Sequence, residues 1–98
     1  MSKKLESQLN TTEMTELCTA LADINDAKAI ANLLRDLLTL DELAEASRRF
    51  NVAKRLASGQ TQRSIYADTG VSTATVSRVN YWLHHGTGGY RTALKRLH

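Results

Sequence analysis

The stretch Gln62–Leu83, QRSIYADTGVSTATVSRVNYWL, constrains this chain more than any other. A short helix candidate ends near Thr69. Gly70 then supplies a turn residue in the left-handed region, which a Cβ disfavours. Ser72 or Thr73 follows as a cap for a second helix. Helical spacing puts Val76, Val79, Asn80 and Leu83 on one face, where they can meet Ile65 and Val71 in a small core. The other face carries Ala74, Ser77, Arg78 and Tyr81, with Thr73 and Thr75 near its start. Short polar side chains at the N-terminal end suit a helix entering a DNA major groove. The pattern is a helix-turn-helix spanning about residues 61–83, with Gln62–Ala67 as supporting helix and Thr73–Leu83 as recognition helix.

Charge strengthens that reading. The net charge is +3, but it is unevenly divided. Residues 1–47 hold four Lys/Arg and nine Asp/Glu, a balance of −5. Residues 48–98 hold nine Lys/Arg and one Asp/Glu, a balance of +8. The basic half contains the helix-turn-helix candidate, the electrostatic footprint of a nucleic-acid binder.

With 98 residues and 42% hydrophobic content, the chain is expected to form one folded domain, residues 11–98, behind an unstructured start at residues 1–10. It has no proline, and β-branched residues never alternate over a strand length. The expected class is all-α. Thr11 or Thr12 caps a first helix to about Ala22, with the stripe Met14, Leu17, Cys18, Leu21 and Ala22. Asp26 caps a second helix to about Leu38, with the stronger stripe Ile30, Leu33, Leu34, Leu37 and Leu38. The first helix is too short to cover that stripe, so a second copy of the chain is expected to do so. Thr39-Leu40-Asp41-Glu42 reads as a capping box opening the longest helix, about Leu40 to Ser58, with Gly59 as its stop. Leu43, Ala46, Phe50, Ala53 and Ala57 line one side of it at near-heptad spacing, and Ala44, Val52 and Leu56 widen the arc. Tyr90–Leu97 forms a short final helix. These add up to about six helices.

Other chemistries find little support. No apolar run approaches the roughly 20 residues of a membrane span, and the start MSKKLESQLN lacks an apolar signal core. Cys18 is the one cysteine; it is expected as a small core residue of a cytoplasmic protein. His84 and His85, being adjacent, cannot both face one metal on a helix. No catalytic arrangement can be assembled, so no enzymatic activity is expected.

From Leu38 to Asn80, the segments LLTLDELAEASRRFNVAKRLASGQTQRSI and GVSTATVSRVN resemble the Trp repressor superfamily, and within it the shorter Trp-repressor-like proteins of the YerC/YecD type. The resemblance implies an intertwined all-helical homodimer that represses transcription from a two-fold symmetric operator, its two heads one helical turn apart. Carried over by position, it implies DNA contacts from Arg63, Thr73, Ala74 and Ser77, with Gln62 and Tyr66 near the DNA backbone and Ser72 and Thr75 around the turn. Arg63 is the long basic reader, suited to guanine O6 and N7. The resemblance also implies a corepressor site for L-tryptophan, matched here by Thr39, Arg49 and Arg78. Just beyond Arg78, however, the small polar residues of the family pattern are replaced by Tyr81 and Trp82, and Trp82 can fill such a slot itself. No resident cofactor is therefore expected, and a small-molecule ligand stays open. The expected partners are double-stranded DNA and a second copy, with no membrane. Two alternatives stand beside this: an amino-acid sensor whose DNA contact is secondary, and a dimeric module that docks on another protein.

Overall fold

The structure, a computed structural model, describes residues 10–97. Those residues form six helices and no strands. The expected unstructured start lies outside them, save for Asn10, which sits in a turn. The chain divides into two compact units, Met1–Leu40 and Asp41–His98.

The first unit holds α1 (Thr12–Asp23) and α2 (Ala27–Leu37). Both begin at the expected caps. Thr11 Oγ1 accepts the Met14 N–H at 3.1 Å, and the Asp26 carboxylate accepts the N–H groups of Lys28 and Ala29 at 3.3 Å each. These bonds satisfy donors that have no partner inside the helix. At the other end of α2, Arg35 Nη1 donates to the Leu38 carbonyl at 3.3 Å. Neither helix buries a residue. Leu17, Leu21, Ile30, Leu33 and Leu34 are half-buried, and Leu37 is 50% exposed. Cys18 is exposed, against the expectation of a core cysteine. Its stripe is amphipathic as read, but among the described residues Cys18 itself stays exposed.

The second unit is built on α3 (Leu40–Ala57). Its C-terminus is a Schellman turn. The Gln60 N–H reaches back to the Arg55 carbonyl at 3.1 Å, and the Gly59 N–H to that of Leu56 at 3.0 Å. Gly59 holds φ 99° to allow it. The helices α4 (Gln62–Thr69), α5 (Thr73–His85) and α6 (Gly89–Arg96) follow. The second helix of the helix-turn-helix thus runs two residues past the expected Leu83.

The core of this unit gathers Val52 and Ala53 from α3, Ile65 from α4, and Val76 and Val79 from α5, all at most 2% exposed. Leu56, Val71, Tyr90 and Leu94 pack around it. Each of the buried valines and Ile65 contributes about 1.5–3 kcal/mol relative to exposure, and Ala53 less. The buried side of α3 is centred on Val52 and Ala53. It is offset from the heptad line read in the sequence, because α4 and α5 pack there; Ala46 and Ala57 are exposed. Phe50 instead meets Tyr90, ring centroids 6.4 Å apart.

Candidate nucleic-acid interface

Local chemistry sets the turn between α4 and α5. Thr61 Oγ1 caps α4 by accepting the Ser64 N–H at 3.1 Å. Gly70 ends it at φ 72°, ψ 3°, its N–H on the Tyr66 carbonyl at 2.9 Å. Thr69 Oγ1 donates to the Ile65 carbonyl at 2.6 Å and accepts the Val71 N–H at 3.2 Å. Ser72 then caps α5, accepting the Thr75 N–H at 3.1 Å. Ile65 and Val76, both buried, lock the two helices from beneath.

This geometry opens a groove of about 350 Å³ on the exposed side, lined by Gln62, Arg63 and Tyr66 from α4 and by Thr73, Val76 and Ser77 from α5. Five of the eight expected DNA-contact residues therefore share one surface. Val76 forms its apolar floor, and Tyr66 is 48% exposed. Arg63 is exposed and forms no ion pair among the described residues. Across the groove, Ser77 Oγ donates to Gln62 Oε1 at 3.1 Å.

The other three sit differently. Ala74 is exposed on α5 outside the groove lining. The Ser72 hydroxyl donates to Thr75 Oγ1 at 3.0 Å, so both residues already serve the cap.

A brace under α4 was not anticipated from the sequence. Gln60 Nε2 donates to Ser64 Oγ at 3.1 Å and to Asp68 Oδ2 at 2.9 Å. Arg55 Nη1 donates to Gln60 Oε1 at 3.4 Å and lies 3.8 Å from Asp68 Oδ2. The end of α3 is thereby fastened along the length of α4. Asp68 is the single acid in residues 48–98, and it is spent on this structural bond. Part of a signal was present: Ser64 and Asp68, four residues apart, share one face of α4, whereas Gln60 lies in the link before it.

The candidate ligand residues stand as follows. Thr39 is exposed where the first unit ends. Arg49 Nε donates to Glu45 Oε1 at 3.2 Å, and Arg48 Nη1 to Glu45 Oε2 at 3.4 Å, so one carboxylate engages both arginines. Arg78 is exposed and has no ion-pair partner among the described residues. Trp82 is 37% exposed, and its ring meets Tyr81 edge-on at 5.3 Å. Beyond it, Arg91 Nε donates to the Leu83 carbonyl at 3.0 Å, and Nη2 lies 3.2 Å from His84 Nδ1. A guanidinium is only a donor, which makes this His84 nitrogen the acceptor.

Fold and groove together define a helix-turn-helix protein. A family model described as Trp repressor protein matches residues 12–98. The chain is 34% identical to the uncharacterized protein YerC of Bacillus subtilis over 85 residues, 87% of this chain and 82% of that one. Among solved structures, a TrpR-like protein from Eubacterium eligens superposes with TM-score 0.84 at 36% identity, covering 93% of this chain and 94% of its own. A protein from Staphylococcus aureus, described as a candidate Trp repressor, superposes with TM-score 0.85 at 32% identity, covering 98% and 95%. The chain belongs to the Trp repressor family, a family of DNA-binding regulators, and is of the YerC type.

Proposed function

We propose that this protein is a sequence-specific transcriptional repressor that binds a two-fold symmetric operator as a homodimer in the cytoplasm. It acts by binding, not by catalysis. The observation that carries the reading is the groove between α4 and α5. It brings Arg63, which has no ion-pair partner among the described residues, beside the hydrogen-bonding tips of Gln62, Thr73 and Ser77 on a capped turn. Arg63 reads a base edge, Thr73, Ala74 and Ser77 approach the major-groove floor, and Gln62, Tyr66, Ser72 and Thr75 lie toward the backbone. Support for the dimer comes from α1 and α2, which bury no residue in one chain although both carry leucine stripes. A surface of that kind is stable in water when a second copy covers it.

We read the repressor as independent of a corepressor. Trp82 and Tyr81 put two aromatic rings in the helical turn after Arg78, where the family pattern has small residues. Selection of bound DNA from a random duplex library, with and without L-tryptophan, tests both points. A palindromic site enriched equally in both arms is the expected result. Enrichment only with L-tryptophan would show that the repressor needs a corepressor. No enrichment, with binding that vanishes as salt rises, leaves only counterion release and overturns the reading.

A further inference from the structure

Gln62 opens α4, and Ser77 lies 15 residues later in the second turn of α5, yet their side chains are bonded across the groove at 3.1 Å. Both residues are exposed. A neutral hydrogen bond open to water adds little stability, so its main consequence is orientation. A primary amide offers two N–H donors and one carbonyl acceptor. Here one of the two lone pairs of that acceptor is engaged by the Ser77 hydroxyl, which sets which way the amide faces. Nε2 has no partner among the described residues. Arg63, the next residue, lines the same groove and offers donors only.

We propose that Ser77 is a positioning residue that fixes the Gln62 amide with its donors outward, so that Gln62 and Arg63 form a donor edge selecting acceptor groups on DNA. This rests on the DNA-binding reading above and reassigns Ser77 from direct contact. Among the base edges only guanine presents two adjacent acceptors, O6 and N7, to a pair of donors, and the phosphodiester oxygens share that chemistry; thymine O4 and adenine N7 are single acceptors. Adenine and cytosine present amino donors in the major groove. Glutamine reads adenine through both ends of its amide, and the bond to Ser77 holds the accepting end toward α5, away from an adenine N6.

A double-mutant cycle tests this: wild type, Ser77→Ala, Gln62→Ala, the double variant and Ser77→Thr. Fluorescence anisotropy would follow each on the selected operator, on its single-base-pair variants and on an unrelated duplex. Circular dichroism confirms that each variant is folded. Gln62→Ala should weaken operator binding about tenfold, within the range of one good contact. Ser77→Ala should weaken it several-fold, the double variant should match Gln62→Ala alone, and Ser77→Thr should bind like wild type. A loss that disappears when one G·C pair per half-site is changed identifies the guanine edge. An equal loss on every duplex, with an unchanged salt slope, identifies a phosphate. Additive losses would mean that Ser77 touches DNA itself and would overturn the proposal. So would a loss tracking adenine or cytosine, or no effect of Ser77→Ala. If the wild type prefers no sequence at all, the DNA-reading assignment fails first, and this proposal fails with it.

Discussion

Replacing Gly70 tests how the helix-turn-helix is held. Gly70 sits at φ 72°, ψ 3°, in the left-handed region. A Cβ built there meets nothing within 4 Å. Gly70→Ala therefore adds no collision, and its cost is that of the backbone conformation alone, about 1–2 kcal/mol for a residue with a Cβ. Asparagine visits this region more readily, so Gly70→Asn should cost less than Gly70→Ala. Valine is β-branched, and Gly70→Val should cost more. Urea denaturation at one fixed chain concentration is the suitable assay, because the stability of the proposed dimer would depend on concentration. The order of midpoints should be wild type, Asn, Ala, Val, with unchanged m-values. For a chain of this size the alanine variant should melt roughly 4–16 °C lower, from about 4–8 °C per kcal/mol. Equal stability for wild type and Gly70→Ala would show that the turn is not left-handed. A loss well above about 3 kcal/mol for alanine would show that the space around the turn is filled, and the reasoning from open space would fail.

Three further outcomes follow from the same structure. Arg63→Ala should weaken operator binding by about 1–3 kcal/mol and relax preference at one base pair per half-site, read by anisotropy on operator variants. Leu34→Asp should convert the proposed dimer to monomer or unfolded chain, since it puts a charge on the stripe that a second copy is proposed to cover; a folded dimer in analytical ultracentrifugation would refute the interlocked arrangement. Gln60→Ala should cost about 1–2 kcal/mol by removing the hub of the brace, whereas Asp68→Asn should cost under about 0.5 kcal/mol, because the Arg55–Asp68 pair is long at 3.8 Å and open to solvent. Equal losses in chemical denaturation would place the weight on the ion pair instead.

The linear sequence settled whatever depends on neighbours along the chain. Asp26 caps its helix as read, and Thr11 and Ser72, each one of two candidates, cap theirs, because a cap needs only N–H groups two or three residues ahead. Gly70 takes its left-handed turn for an equally local reason. The face holding Ile65, Val76, Val79 and Leu83 was legible because helical periodicity fixes which residues share a side. The six-helix, all-α class follows from these local signals. What joins distant positions was not legible. The Ser77–Gln62 bond, the fastening of α3 to α4 through Arg55 and Gln60, and the meeting of Phe50 with Tyr90 depend on how helices cross. That geometry is set by packing of the whole core, not by any one segment. The same cause narrowed the buried side of α3 to Val52 and Ala53 within the apolar arc and left Ala46 and Ala57 exposed. Cys18 shows the converse: its stripe was read correctly, but periodicity says which side is apolar and not whether a single chain covers it. Only the tertiary structure decided that, and it left α1 and α2 without a buried residue.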